Sequence, residues 1–330
     1  TNTATPTPTN TATPTPTNTA TPTPTNTATP TPTNTATPTP TNTATPTPTT
    51  SATPTPTPSS SPSSYDYLTL IFDTNKQVSN TITVPVNGTS PNVTVNWGDG
   101  TSDTYNSVGD KLHTYASKSI YTVQISGTMT SLNYGDGGST EKNKPKLIKC
   151  LSFGNIGLTN IDTAFKNCNN LNQVPSSLPV SATGVRDLLF GCKLFNGSEV
   201  SSWNISNLTS LKGMFNQATG FNIDIGSWNT SQITDMSSMF AGATSFNRDI
   251  SSWSLAGLNS SSSLNSFMSN VTLSNSNYDN ILINWNNNKN SYRNDLSVNF
   301  GFSKYTSSAS GARSALISYG WVITDGGLQA

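Results

Sequence analysis

The sequence predicts a mainly β protein: an extended Thr/Pro-rich stalk, a small antiparallel β-sandwich, then a leucine-rich-type solenoid closed by a small α/β cap. Three observations predict it. The octapeptide TNTATPTP runs head to tail six times from Thr1 to Pro48. Short runs that alternate apolar and polar residues begin at Tyr67. Trp203, Trp228 and Trp253 then recur 25 residues apart. The expected spans are 1–64 for the stalk, 65–137 for the sandwich, 138–275 for the solenoid and 276–330 for the cap.

In the stalk, proline at every second position of TPTP fixes φ and removes backbone donors, which excludes a helix interior or a central strand. Extended or polyproline II conformers remain, and at about 3.1 Å per residue the stretch from Thr1 to Ser64 spans roughly 200 Å. A Ser/Thr-rich tract with regular Pro is the composition of O-glycosylated stalks. An ordinary flexible linker has a similar composition, but near-perfect repetition favours the stalk. The candidate O-glycosylation sites are the threonines at odd positions: Thr1, Thr3, Thr5, Thr7, Thr9, Thr11, Thr13, Thr15, Thr17, Thr19, Thr21 and Thr23. The chain opens in phase with the octapeptide and without an initiator Met, so it reads as part of a longer array.

Charge is sparse and balanced, 16 basic against 16 acidic residues. That leaves no electrostatic footprint for nucleic acid or for an anionic membrane. No run of apolar residues approaches the ~18 that a transmembrane helix needs. Cys150, Cys168 and Cys192 are an odd count at wide spacing, which fits neither a zinc site nor a dense disulfide framework. They read as small buried hydrophobes on successive coils, with one disulfide and a leftover thiol as the alternative.

The expected strands of the sandwich are Tyr67 to Phe72, Thr81 to Val86, Asn92 to Trp97 and Tyr121 to Gly127. Each alternates apolar and polar residues, with Gly, Asn and Pro between runs. Trp97-Gly98-Asp99-Gly100 supplies a tight turn after a strand, and His113-Thr114-Tyr115 precedes the last run. The combination VNWGDGT, HTYA and YTVQISG resembles a PKD-type domain, an immunoglobulin-like sandwich common on extracellular proteins. Asp99 is either a calcium ligand or a turn carboxylate accepting backbone N–H bonds, and the turn reading is favoured. The resemblance makes His113, the only histidine, a framework residue beside that turn.

In the next span Phe165, Phe190, Phe215 and Phe240 also recur at 25 residues. A fixed period of roughly 20 to 29 residues with recurring apolar positions is the mark of a leucine-rich-type solenoid. One coil cannot bury its own apolar face, but stacked coils can. Met214, Phe215, Phe221, Ile225 and Trp228 are therefore expected to line up with Met239, Phe240, Phe246, Ile250 and Trp253. The phrase MFNQATGFNIDIGSWNTSQITDMSSMFAGATSFNRDISSW resembles BspA-like leucine-rich surface proteins. Lys146 to Pro175 resembles that family's entry coils, and Asn277 to Gly327 its closing cap. An irregular coil is expected at Asn196 to Trp203 and a degenerate Ser/Asn-rich coil after Trp253.

In the cap, Tyr278, Ile281, Leu282 and Trp285 sit at helical spacing, and Ala309 to Tyr319 reads as a second helix, both packing over the last coil. Asn222 and Asn247, with Asp224 and Asp249, recur one coil apart. They read as polar ladders bonding turn backbones, with a row of ligands for calcium or sugar hydroxyls as the alternative. The recurring tryptophans look internal, which weakens sugar stacking.

Only two glutamates exist, Glu141 and Glu199, and neither is paired with a second carboxylate in sequence. There is no GxSxG, HExxH or P-loop pattern. The expectation is a non-enzymatic, secreted, cell-surface or virion-surface glycoprotein that self-associates into a fibre or surface layer. Covalent O-glycans are expected, and no cofactor. The alternative is an adhesin whose solenoid binds a host protein or polysaccharide, since BspA-like relatives suggest adhesion.

Overall fold

The structure, a computed structural model, describes residues 66–134 and 144–330; the stalk threonines Thr1 to Thr23 and Glu141 lie outside the described residues. The protein is mainly β, with antiparallel sheets and a small helical C-terminal part. Its strands are β1 (Leu68–Asp73), β2 (Thr81–Val86), β3 (Asn92–Asn96), β4 (Ser102–Tyr105), β5 (Gly109–Thr114), β6 (Ile120–Thr128), β7 (Leu147–Phe153), β8 (Ser297–Asn299) and β9 (Val322–Thr324). The helices are α1 (Asn275–Asn288) and α2 (Ser307–Tyr319).

Five strands form one sheet in the order β4-β3-β6-β1-β7, and β2 pairs with β5 in a second. Period-two alternation sorts the side chains. In β3, Val93 and Val95 are buried while Asn92, Thr94 and Asn96 are exposed. Leu68, Leu70 and Phe72 from β1, Ile82, Val84 and Val86 from β2, and Val123 and Ile125 from β6 join them in the core. The four strands expected from sequence are present within a residue or two, while β4, β5 and β7 were not foreseen.

β7 links this sheet to the repeats. It lies antiparallel to β1, with Leu68 opposite Phe153 and Leu70 opposite Cys150. It also meets the first repeat, where the Cys150 amide donates to the Gln173 carbonyl at 3.0 Å. The sheet therefore crosses the boundary expected near residue 137, and one continuous core runs from Leu68 to Trp321. Where the chain enters β7, Lys144 and Lys146 are buried, and the Lys146 ammonium donates to the Thr81 carbonyl.

Between Gly154 and Leu273 the described chain forms no strand longer than a single bridge. It is built instead from turns that share their amides in alternation. The amides of Ala164, Lys166 and Cys168 bond back three residues, to Ile161, Thr163 and Phe165. Those between them, Thr163, Phe165 and Asn167, donate one repeat onward, to Arg186, Leu188 and Phe190. The same alternation continues from Asp187 to Lys212, from Gly213 to Ser237 and from Ser238 to Asn265.

Two residues in each repeat adopt left-handed backbone to make this possible. They are Thr163 and Asn167, Asp187 and Gly191, Gly213 and Gln217, Ser238 and Gly242, Ser266 and Asn270. Aligned on these pairs, the ladder position held by Phe165, Phe215 and Phe240 is held in the intervening repeat by Leu189. Phe190 is thus not a member of the phenylalanine ladder expected from the 25-residue spacing. Repeat lengths vary by a residue or more, so Phe190 sits one place beyond the core and is half-buried, with the Lys166 ammonium 5.1 Å above its ring.

The remaining ladders follow the expectation. Phe215 stacks on Phe240 with centroids 5.8 Å apart, Phe221 on Phe246 at 5.9 Å, and Trp228 on Trp253 at 6.3 Å with rings 2° from parallel. Each indole N–H also donates one repeat back: Trp203 to the Pro175 carbonyl at 2.8 Å, Trp228 to Val200 at 3.2 Å and Trp253 to Ile225 at 3.1 Å. A buried Trp needs such a partner for its polar end, so the ring is locked in register as well as desolvated. The irregular coil expected after Asn196 holds a short 3-10 turn at Ser198–Ser202.

The two helices close the array. Ser274 caps α1 by accepting from the Asn277 amide, and Thr306 caps α2 by accepting from Ser308. Tyr278, Ile281, Leu282 and Trp285 are buried as the helical spacing required. Asp325 ties the cap together, accepting from the Tyr278 hydroxyl at 2.6 Å and from Arg313 Nε at 2.7 Å. Among the described residues no helix is long and apolar enough to cross a membrane.

Candidate functional site

The candidate glycosylated threonines, Thr1 to Thr23, lie outside the described residues. Within the described residues, three groups of side chains bear on function. The first surrounds the tight turn between β3 and β4. Asp99 accepts the Thr101 amide at 3.0 Å and the Thr101 hydroxyl at 2.6 Å through one oxygen, and meets His113 Nε2 at 2.7 Å through the other. Partial burial works to raise the Asp99 pKa, but the bonds from Thr101 and His113 outweigh it and hold the carboxyl at about 2. The His113 ring stacks on Trp97 at 4.7 Å, and the Tyr115 hydroxyl donates to the Trp97 carbonyl at 2.7 Å. Both Asp99 oxygens are thus engaged by the turn and by the histidine. Among the described residues no group of three or more His, Cys, Asp or Glu side chains is placed to hold a metal ion.

The second group is the recurring Asn and Asp. The Asn196 side-chain oxygen accepts from the Asn222 amide at 2.9 Å, that of Asn222 from Asn247 at 3.0 Å, and that of Asn247 from Ser274 at 2.8 Å. Asp224 and Asp249 each accept the amide two residues on, Gly226 at 2.9 Å and Ser251 at 2.8 Å. Asp249 also receives Asn280 of α1 at 2.9 Å. The row is a polar ladder that bonds repeat to repeat and seats the cap. The cysteines are equally internal, with no disulfide among them. Cys168 and Cys192 occupy equivalent places in neighbouring repeats, whereas Cys150 lies in β7 rather than on a coil. Burial pushes the Cys150 and Cys192 thiols up in pKa, which suppresses the reactive thiolate.

The third group, which no motif announced, is a groove. Parallel bridges join Ser131 to Asn160 and Asn160 to Gly184, and further along Ser210 to Asp235. Beside that line the repeats present Asp162, Arg186 and Lys212 at equivalent positions. A cavity of about 480 Å³ opens there, walled chiefly by Asn160, Asp162, Lys166, Arg186, Asp187 and Lys212, and an adjoining depression of about 270 Å³ reaches Ser210 and Asp235. Ion pairs brace it. Arg186 Nη2 lies 3.3 Å from Asp162 Oδ2, and Lys166 Nζ 3.5 Å from Asp187 Oδ2. The Asp162 Oδ1 accepts the Arg186 amide, and Asp235 Oδ1 the Ser237 amide at 2.8 Å. The only sequence signal for this groove is the placement of Asp162, Arg186 and Lys212 on the period of the repeat.

Residues 159–281 match the family described as Mycoplasma protein of unknown function, DUF285. The match spans the groove residues from Asp162 to Asp235, the aromatic ladders and the first half of α1. No curated protein and no solved structure matches the chain.

Proposed function

We propose that the chain is an exported, non-enzymatic surface or filament glycoprotein. An O-glycosylated Thr/Pro stalk presents an immunoglobulin-like, PKD-type sandwich, followed by a BspA-like leucine-rich solenoid and its cap. The observation that carries this reading is repetition at two scales: identical octapeptides precede an array of aromatic coils whose ladders are interlocked by backbone and indole hydrogen bonds. The identical octapeptides along one chain impose a constant rise and rotation, the geometry of a fibre or spacer. A non-catalytic role is favoured because His113 is engaged by Asp99 and Trp97, and the thiols of Cys150 and Cys192 are buried. Intact-mass measurement of the natural material tests the stalk. Peptides from Thr1 to Pro48 should carry added hexose-scale masses, and unmodified masses would defeat the glycosylation.

The groove favours a second reading, an adhesin that holds a ligand on the bridge-lined face of the repeats. Deletion of Tyr65 to Ala330 separates the two. Attachment is lost if the folded part is the adhesive element, whereas fibres persist if the stalk assembles them.

A further inference from the structure

Resting on the adhesin reading, we infer that the groove over Gly184 is a binding site for a carboxylate-bearing sugar residue, as found in an acidic polysaccharide. The charge balance of the cavity leads to this. Among the described residues Lys166 is matched by Asp187 and Arg186 by Asp162, so Lys212 is the cation without an ion-pair partner. No described carboxylate comes within ion-pairing distance of the Lys212 ammonium, although Asp235 shares its depression. Arg186 and Lys212 are register neighbours, the Asp187 amide donating to the Lys212 carbonyl at 3.0 Å. Two cations side by side on neighbouring repeats repel, and an anion between them removes the repulsion.

The donors are available. Arg186 spends one terminal nitrogen on Asp162 and its side chain is 58 % exposed, which leaves part of its planar fork open to a second carboxylate. Gly184 lines the adjoining depression. A Cβ there would press on the Asp162 and Asn160 side chains, so glycine gives those two acceptors the room to sit where they do.

The other walls select the body of the ligand. Asn160, Asp162, Asp187 and Asp235 offer acceptors for hydroxyl groups, and among the described residues no aromatic or large aliphatic side chain lines the larger cavity. A neutral sugar commonly needs a ring to stack on, and a peptide needs apolar pockets for its side chains. An acidic sugar needs neither. The volume falls within the roughly 300–1,000 Å³ typical of small-molecule sites.

The test uses the full chain and titration calorimetry with oligosaccharides ending in a uronic acid or a sialic acid, each beside its carboxyl-reduced counterpart. At least one acidic form should bind about tenfold or more tightly than its reduced form, the loss expected for one charge-assisted contact. Lys212→Gln should remove that preference with the thermal unfolding midpoint unchanged, and Lys193→Gln, outside the groove, should keep it. Equal binding of acidic and reduced sugars, an unaltered Lys212→Gln, or equal binding of a peptide carboxylate would each overturn the site. Failure of every sugar overturns it too, and continued cell attachment by the same protein would show that the adhesin reading survives.

Discussion

Gln217 folds its side-chain amide into the space that a Cβ on Gly242, one repeat further on, would need. Both residues hold left-handed backbone, at φ 59° and 72°. The same relation joins Asn167 to Gly191, and Asp187 to Gly213 in the companion column. In the column of Asn167, Gly191, Gln217, Gly242 and Asn270 a residue that carries a side chain is followed by one that does not; in the companion column only Asp187 is followed by a glycine, Gly213.

Gly242→Ala should therefore destabilise the protein by more than the ~1–2 kcal/mol of left-handed backbone strain alone. Adding Gln217→Ala should recover the steric part, giving a coupling energy in a denaturation double-mutant cycle. Strict additivity would show that the two side chains do not compete for that space. Ser238→Gly, at φ 56°, should be neutral or raise stability by up to ~1 kcal/mol.

Trp253 locks two repeats through its stack on Trp228 and its bond to the Ile225 carbonyl. Replacing it with Phe keeps most of the apolar area and leaves the Ile225 carbonyl its bond from the Trp228 amide at 3.1 Å, so the lost indole bond should cost about 1 kcal/mol. Trp253→Ala should cost about 3–5 kcal/mol. Urea midpoints read both, and a Phe variant as stable as the parent would show that the indole bond contributes nothing.

Asp99 ties stability to acid. Its folded pKa, about 2, lies below the ordinary value of 3.8, so the proton favours the unfolded chain. The contribution is complete above about pH 5 and disappears as pH falls through 2, on the order of 1 kcal/mol once partial exposure is allowed for. Asp99→Asn should lower stability at neutral pH and flatten the decline between pH 5 and 2. A steep acid limb unchanged in the variant would assign that limb to other carboxylates.

A chain ending at residue 137 would lack β7, leaving β1 as an exposed edge lined by the pairing groups of Leu68 to Phe72. Such an edge invites association. Size-exclusion chromatography should show aggregates, with a broad thermal transition. A sharp, monomeric transition would mean that the remaining strands are complete without β7.

The strands at Thr81 to Val86 and Asn92 to Asn96, and the helix through Tyr278 and Trp285, were legible because local period and burial agree there. β7 was not, because its partner β1 lies in a distant part of the chain and the run LIKCLSF reads equally well as a repeat coil. The left-handed pairs were hidden for a related reason. Thr163, Asp187, Gln217 and Ser238 occupy them where glycine would have announced the backbone. A fixed 25-residue count placed Phe190 in the core, since composition alone does not reveal a repeat that is one residue short or long. The groove draws Asp162, Arg186 and Lys212 from separate repeats, and only the amide ladder shows that they stand side by side.

The pairing of Leu68 with Phe153 means that the polypeptide enters and leaves the five-stranded sheet at a single point. Tension between the residues before Leu68 and those after Phe153 crosses that pair directly, so the rest of the sheet hangs beside the line of force. Antiparallel neighbours pulled from the same end peel like a zipper, one hydrogen bond after another, and yield at a lower force than strands sheared along their length. The joint between β1 and β7 would open first under load, giving the chain extra length while the aromatic coils beyond it stay intact.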